Sequence, residues 1–290
     1  MLLRINHLKV QYGTTTALNI TTPVTIHEGE RIGIIGSNGA GKSTLIKSLL
    51  GITNYTGTIE SCITPEQMAV HMQSNEYTSN MPVCHVMEHI LQTSIKKNKK
   101  LQELISYFEF EGCLKKKYKA LSGGQKQRFT IILVMMQEAP LTFYDEVTSG
   151  LDFETRQKLV EKLVEWYKER DTSLCVVSHY YEELEQLVNK LLILDHGTVV
   201  AFGEKDELFQ KYCGRAIITI DNTKANQELV KGFETLVAPE HLIALSCNTP
   251  EIEQEIISLL IQNDVNYKRS NNDIEMIFIN AKERANHEEK

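Results

Sequence analysis

Short apolar runs recur through the first two thirds of the chain, separated by longer segments of mixed polarity. Three runs have the length of a buried strand rather than of a helix, at residues 31–35, 141–146 and 173–178. Residues 152–170 instead repeat apolar side chains at helical spacing, at Leu159, Leu163, Trp166 and Tyr167. Two further runs flank the turn 195–197 and predict a hairpin. Strands and helices in this succession predict an α/β fold.

Two other segments differ from this pattern. Residues 76–120 are polar and mostly helical in their spacing, with helices expected over 83–95 and 100–110. From residue 213 a smaller α/β pattern begins, with strands expected at 216–220, 241–246 and 265–268 and with helices expected from 226 and over 250–262. We therefore expect a large domain over 1–212, a small α/β domain over 213–284 and a disordered tail over 285–290.

Composition narrows the class of protein. The chain has 290 residues, 42% of them hydrophobic, and a formal net charge of −7, which argues against nucleic acid as a partner. The longest apolar run, residues 129–136, is far below the roughly 20 residues of a membrane-spanning helix. The first residues lack the pattern of a signal peptide, and the six cysteines are scattered, which favours a reducing cytosol.

A glycine-rich loop carries the first chemical signal. Residues 36–44 fit the phosphate-loop pattern G-x-x-x-x-G-K-[ST], with a predicted strand before them and a predicted helix after them. Its residues are Gly36, Ser37, Asn38, Gly39, Ala40, Gly41, Lys42, Ser43 and Thr44. Such a loop directs backbone N–H groups and a helix N-terminus at an anion, while its lysine reaches the phosphates and its Ser hydroxyl binds Mg²⁺. The loop predicts a nucleotide site.

Four further motifs follow in a fixed order. They are the turn Leu121, Ser122, Gly123, Gly124 and Gln125; the pair Asp145 and Glu146; the loop Ser149, Gly150, Leu151 and Asp152; and the single His179. Together with the phosphate loop, this set resembles the ATP-binding cassette (ABC) family over about residues 1–210. The resemblance implies a phosphate-loop ATPase core with a mixed sheet, and it makes residues 76–120 the helical subdomain. It also implies ATP and Mg²⁺ as cofactors.

The resemblance also implies the role of each residue. Asp145, Ser43 and Gln73 would hold Mg²⁺, Glu146 would act as general base, and Lys42, Gln73 and His179 would complete the catalytic group. Tyr12 lies where the family stacks an aromatic ring on adenine, although an edge-strand tyrosine is the ordinary alternative. The chain departs from the family at Val147, where proline is usual, which affects the positioning of Glu146 rather than its identity.

The partners follow from the same resemblance. In the family, the 121–125 turn acts on ATP held by a second subunit, and residues 149–152 lie at the dimer seam. One phosphate loop and one such turn in this chain imply a second ABC ATPase subunit, identical or closely related. A separate membrane permease is implied too, which would place the chain at the cytoplasmic face of the cell membrane. Residues 272–278 resemble the closing segment of ATPases from bacterial drug, antibiotic and peptide exporters, and this favours export of an amphipathic peptide, drug or lipid. The alternatives are an importer ATPase and a soluble ABC ATPase that drives an assembly process.

Overall fold

The computed structural model describes residues 1–73, 75, 77, 78, 80–168 and 170–288. Residues 76 and 79 of the expected helical segment, and 289 and 290 of the expected tail, lie outside these described residues. The strands are β1 (Leu3–Tyr12), β2 (Thr15–Ile20), β3 (Val24–Ile26), β4 (Arg31–Ile35), β5 (Thr56–Ser61), β6 (Met68–His71), β7 (Leu141–Asp145), β8 (Ser173–Val177), β9 (Lys190–Asp195), β10 (Thr198–Glu204), β11 (Ala216–Asp221), β12 (Thr235–Leu236), β13 (Leu242–Cys247) and β14 (Lys268–Ser270).

The helices lie between and after these strands. They are α1 (Lys42–Leu49), α2 (Val83–Ile90), α3 (Lys99–Tyr107), α4 (Gly123–Met135), α5 (Phe153–Tyr167), α6 (Tyr181–Leu187), α7 (Lys205–Cys213), α8 (Lys224–Leu229), α9 (Pro250–Gln262) and α10 (Ile274–Glu288). Single 3₁₀ turns lie at Pro65–Gln67, Glu111–Cys113 and Tyr118–Ala120.

A six-stranded sheet in the order β10-β9-β4-β8-β7-β6 forms the centre of the molecule. Its strands run parallel except for β10, which pairs with β9 as the antiparallel hairpin expected from sequence. Strands β7 and β8 are buried along their whole length, as continuous apolar strands covered on both faces should be. The carboxyl ends of β4, β6, β7 and β8 therefore meet at one edge, where ligands bind in open α/β sheets.

A smaller antiparallel sheet packs beside this centre. Strand β1 pairs with β5 along one edge and with β2 and β3 along the other. Its buried apolar side chains share a hydrophobic cluster with one face of the central sheet and with α1. The combination confirms the expected mixed-sheet α/β core.

The segment 76–120 is less helical than we expected. The predicted helix over 83–95 ends at Ile90, because Gln92 adopts a left-handed backbone with φ 49° that a continuing helix does not allow. The second runs over Lys99–Tyr107 rather than 100–110; the Asn98 side chain caps its start by accepting a hydrogen bond from Leu101 N, and Glu109 turns left-handed beyond its end.

Residues 216–270 build a separate four-stranded sheet in the order β12-β13-β11-β14, with a small hydrophobic cluster of its own. Helix α10 then leaves this sheet and packs against α7, α6 and β10 of the larger part. Its residues Ile274, Met276, Ile277 and Ala281 are buried in the main hydrophobic cluster. Of residues 285–290, which we expected to be a disordered tail, residues 285–288 continue α10.

We compared the helices in the described part of the chain with the length and hydropathy of a membrane-spanning helix. None is both long enough and apolar enough to cross a bilayer.

Candidate active site

The phosphate loop connects β4 to α1 at the carboxyl edge of the central sheet. Gly41 takes φ 99° at the N-terminus of α1, and a Cβ added there would lie 2.5 Å from Leu18 Cδ2. A Cβ on Gly36 would lie 2.4 Å from the Leu194 carbonyl oxygen. Both positions need glycine because the loop is pressed against neighbouring strands, and this close packing leaves a backbone cradle at the N-terminus of a helix.

Lys42 and Ser43 begin α1 and face two carboxylates. Lys42 Nζ donates to the carbonyl oxygens of Gly36 at 2.7 Å and Ser37 at 3.2 Å. Burial lowers the pKa of Lys42, and the charges of Glu146 and Asp145 oppose that shift. Ser43 Oγ donates to Asp145 Oδ2 at 2.9 Å. The lysine thus lies at the loop with its charge partly balanced by the end of β7.

Asp145 ends β7 and is 2% exposed. Burial raises the pKa of its carboxyl and the charge of Glu146 adds to that rise, while the Ser43 hydrogen bond and the charge of Lys42 oppose it. A buried carboxylate beside a serine hydroxyl at the N-terminus of a phosphate-loop helix is the donor set that Mg²⁺ uses together with nucleotide oxygens. The residues present fit that ion.

Glu146 lies between the two other polar residues expected in the catalytic group. Gln73, just after β6, donates from Nε2 to Glu146 Oε2 at 2.7 Å. His179, just after β8, places Nε2 at 2.9 Å from Glu146 Oε1. Glu146 itself has a left-handed backbone with φ 52°, a strained conformation that tends to occur at functional sites. Three neighbouring strand ends thus fix one carboxylate in place.

One buried carboxylate behind this group was not expected from sequence. Glu183 Oε2 accepts hydrogen bonds at 2.8 Å from two hydroxyls. One is Thr148 Oγ1, two residues after Glu146, and the other is Ser178 Oγ, directly before His179. Arg156 Nε lies 3.5 Å from its other oxygen. Burial raises the pKa of Glu183, and these partners oppose the rise. Glu183 therefore connects the segment after β7, which contains Glu146, to the segment after β8, which contains His179. In the sequence, Glu183 is one of several acidic residues in a short polar stretch and does not stand out.

The 121–125 turn is built separately from this group. Ser122 caps α4: its Oγ accepts from Gln125 N at 3.3 Å, and Gln125 Oε1 accepts from Ser122 N at 3.2 Å. Beyond the turn, Gln125 Oε1 also accepts from Lys116 Nζ at 3.4 Å. Among the described residues, no hydrogen bond joins 121–125 to the phosphate loop. The structure leaves this turn apart from the residues at the ends of the central strands. We call these residues the strand-end group: Lys42, Ser43, Gln73, Asp145, Glu146 and His179.

The 149–152 loop lies next to that turn. A Cβ on Gly124 would come within 3.6 Å of Leu151 Cδ2. Asp152 caps α5 by accepting from Thr155 N at 3.0 Å and from Thr155 Oγ1 at 2.7 Å, and these hydrogen bonds lower its pKa. Ser149 N donates back to the Glu146 carbonyl at 3.0 Å, so the loop connects the strand-end group to the turn.

Tyr12 ends β1 and is 52% exposed. Its hydroxyl lies 3.5 Å from Thr53 Oγ1, shortly after the end of α1. An exposed ring has a face available for a flat base, and an exposed edge-strand tyrosine would look the same.

Comparison with known proteins connects this geometry to a family. A family model described as ABC transporter matches residues 21–149. The methionine import ATP-binding protein MetN of Clostridium tetani is 32% identical over 217 residues, covering 68% of this chain and 68% of the relative. The Nod factor export ATP-binding protein I of Cupriavidus pinatubonensis is 25% identical over 295 residues, covering 96% and 90%. The linearmycin resistance ATP-binding protein LnrL of Bacillus subtilis is 27% identical over 252 residues, covering 81% and 79%.

Solved structures agree on the fold. CbiO1 of Clostridium perfringens, described as part of the transporter complex CbiONQ, superposes with a TM-score of 0.62 at 25% identity, covering 72% of this chain and 91% of that one. A dimeric ATP-binding cassette in a post-hydrolysis state, bound to ADP and phosphate, superposes with a TM-score of 0.62 at 22% identity, covering 70% and 98%.

The predicted α/β phosphate-loop fold, the ATPase activity and the two cofactors are confirmed by these matches. The chain belongs to the ABC transporter family, as an ATP-hydrolysing subunit that binds ATP with Mg²⁺.

Proposed function

We propose that this chain powers the export of an amphipathic peptide, drug or lipid through a separate membrane permease. It would do so as one of two identical or closely related ATPase subunits at the cytoplasmic face of the cell membrane. Residues 1–212 would form the ATPase domain and residues 213–284 a second, smaller unit. The observation that carries the ATPase part is the Glu146 carboxylate, held by Gln73 on one oxygen and by His179 on the other.

The strand-end group suits phosphoryl transfer to water. Lys42 and the backbone of the phosphate loop would hold the phosphates, and Tyr12 would stack on adenine. Asp145, Ser43 and Gln73 would hold Mg²⁺, which supplies neutralisation of the phosphate charge when bound. All of these side chains except Tyr12 lie at one edge of the central sheet.

Glu146 would accept the proton of the attacking water. A general base must lie within hydrogen-bond reach of that water and keep a fixed orientation. Its two oxygens lie 2.7 Å from Gln73 Nε2 and 2.9 Å from His179 Nε2, which limits rotation of the carboxylate. The hydrogen bonds of Glu183 to Thr148 and Ser178 hold the segments that contain Glu146 and His179 together. This contact supports His179 as a residue that orients Glu146.

The separate 121–125 turn supports a paired arrangement. It presents a capped helix N-terminus and a serine hydroxyl, which suit a phosphate, yet its hydrogen bonds do not reach its own phosphate loop. We propose that it acts on ATP bound by the second subunit. Residues 149–152 would lie at the seam, since they connect the turn to Glu146.

Export is favoured by where the relatives match. The Nod factor export protein aligns over 96% of this chain, so the alignment extends through the C-terminal sheet. The methionine import protein aligns over 68% of it. The C-terminal part is thus shared with a relative named for export, which is the reason to prefer that direction.

Copurification from native membranes tests the permease. A tagged chain should bring with it an integral membrane protein, and the contact should involve the 76–120 segment. Ile90 on α2 is 46% exposed there, while Ile261 on α9 is 63% exposed in the C-terminal part. We expect Ile90→Asp to lose the membrane partner while keeping ATPase activity, and Ile261→Asp, the matched control, to keep both. Recovery of soluble partners alone would favour an assembly ATPase and contradict transport.

Direction is tested in cells. Deletion of the gene should raise sensitivity to a panel of amphipathic peptides and drugs, and the wild-type chain should restore resistance where Glu146→Gln does not. A deletion that lowers uptake of a nutrient, with no change in sensitivity, would favour import.

A further inference from the structure

The last helix of the chain returns from the C-terminal part to the ATPase core. Helix α10 packs on α6, α7 and β10 through Ile274, Ile277 and other buried residues. On the same helix, Lys282 Nζ lies 2.9 Å from Asp195 Oδ1, with the two side chains 26% and 10% exposed. An ion pair of this kind, largely withdrawn from water, is stronger than an exposed one.

Asp195 in turn holds the phosphate loop. Ser37 Oγ donates to Asp195 Oδ1 at 3.1 Å, and Gly197 N, in the same turn, donates to the Ala40 carbonyl at 3.2 Å. Asp195 ends β9, the strand parallel to β4, which carries the loop. The turn 195–197 thus fixes the phosphate loop at two points, one near its beginning and one near its end.

The charge of Asp195 needs a counter-charge at this place. A carboxylate bonded to the phosphate loop repels the phosphates of a nucleotide, and a shielded charge acts over a longer distance than an exposed one. His196 lies farther away, with Nε2 at 3.9 Å from Asp195 Oδ2, and its side chain is 92% exposed. Lys282 is therefore the closer and more shielded of the two basic groups paired with Asp195 among the described residues.

We propose that Lys282 is a positioning residue for ATP, acting through Asp195 on Ser37. Lys282 neutralises Asp195, so that this carboxylate holds the loop without repelling the nucleotide. The C-terminal helix thereby sets the ATP affinity of the core. This inference rests on the proposed role of residues 36–44 as the phosphate-binding loop.

The packing of α10 allows the ammonium group to be tested apart from the fold. Phe278, one turn before Lys282, lies against the Tyr181 ring of α6 with centroids 6.2 Å apart. The Lys282 ammonium lies 5.3 Å from the Phe278 ring centroid. Lys282→Met keeps most of the aliphatic stem on Phe278 and removes only the charge, and the buried apolar residues of α10 stay unchanged.

The experiment measures Mg-ATP affinity and steady-state hydrolysis with the full chain. We expect Lys282→Met to bind Mg-ATP about three- to tenfold more weakly, with KM raised and kcat within about twofold of wild type. Adding Asp195→Asn to Lys282→Met should restore affinity to within about twofold, because the uncompensated carboxylate is gone. Lys282→Arg should bind like wild type. Glu283→Gln is the control, since Glu283 pairs with His287 on the same helix at 3.0 Å.

Wild-type affinity in Lys282→Met would overturn the inference, as would a double variant that binds no better than the single one. If Lys282→Met does not fold, the same comparison made with Lys282→Gln decides between these results. Failure of the wild-type chain to bind Mg-ATP at all would instead refute the proposed role of the loop.

Discussion

The strand-end group and the 121–125 turn are both anion-binding features, but they are finished in different ways. At the strand ends, Glu146 is bonded to Gln73 and His179, and Asp145 is bonded to Ser43. In the turn, Ser122 and Gln125 bond mainly to each other and complete only the cap of α4. The first region is assembled within one chain, whereas the second presents a helix end outward. The difference supports our proposal that a second chain completes each hydrolytic site.

The largest effect is expected at Glu146. Glu146→Gln keeps the shape and the Gln73 contact but removes the base, so turnover should fall about 10³-fold while ATP binding persists. Steady-state phosphate release and nucleotide binding measure the two quantities. A Glu146→Gln chain that hydrolyses ATP at the wild-type rate would show that the strand-end group is not the catalytic one.

A charge placed in the 121–125 turn should reduce hydrolysis nearly as much. Among the described residues, no hydrogen bond joins this turn to the chain's own phosphate loop. A Cβ on Gly123 meets nothing within 4 Å, so Gly123→Asp fits sterically, and its carboxylate would face the partner's phosphates. We expect hydrolysis to fall about 100-fold with nucleotide binding by the monomer unchanged. Gly232→Asp, whose Cβ also meets nothing within 4 Å, is the control.

Mixing the two inactive variants sharpens the comparison. In a Gly123→Asp and Glu146→Gln pair, one composite site has both defects and the other has none. A one-to-one mixture should therefore recover about one quarter of wild-type hydrolysis, since half of the pairs are mixed and each has one intact site. No recovery would contradict sites shared between two chains.

Acid should destabilise the fold through a histidine that is buried beside the strand-end group. His71, which ends β6 two residues before Gln73, is fully buried, and burial lowers its pKa from 6.5 to about 4. The unfolded chain then binds the proton more readily than the folded one, so stability is lost as pH falls from 6.5 toward 4. In His71→Phe, the decrease in unfolding free energy between pH 6.5 and pH 5 should be smaller than in wild type by about 1.5 kcal/mol.

Denaturant unfolding at the two pH values measures this slope. The control is His241→Gln, a substitution at an exposed histidine of the C-terminal part. An unchanged slope in His71→Phe would show that His71 does not contribute to the pH dependence of the unfolding free energy.

The smallest effect concerns the turn as a helix cap. Ser122→Ala removes the hydroxyl that accepts from Gln125 N and should cost about 1 kcal/mol of unfolding free energy, while Ser122→Gly should cost only a few tenths. Chemical denaturation compares the two variants. A loss of only a few tenths in Ser122→Ala as well would mean that the capping bond contributes little to stability.

Much of this site was predictable because its residues follow local rules. The glycine loop needs a strand before it and a helix after it, and the predicted strand 31–35 and the predicted helix that follows the loop supplied that context. Asp145, Glu146 and His179 were identified by the order of their motifs, and the structure then placed them at the carboxyl ends of β7 and β8. The helices over 83–95 and 100–110 were less accurate, because left-handed residues such as Gln92 and Glu109 carry no clear sequence signal.

The sequence by itself determined the nucleotide chemistry and the α/β core. Glycine geometry and strand length are properties of short segments, and the order of the motifs can be read directly along the chain. Only the tertiary structure decided which side chains pair across the sheet, including Glu183 with Thr148 and Ser178, and Asp195 with Ser37. It also decided that α10 returns to the core and brings Lys282 to Asp195, from 87 positions away. The physical reason is that such pairs depend on strand order and helix packing, which are set by burial over the whole chain and not by any local pattern.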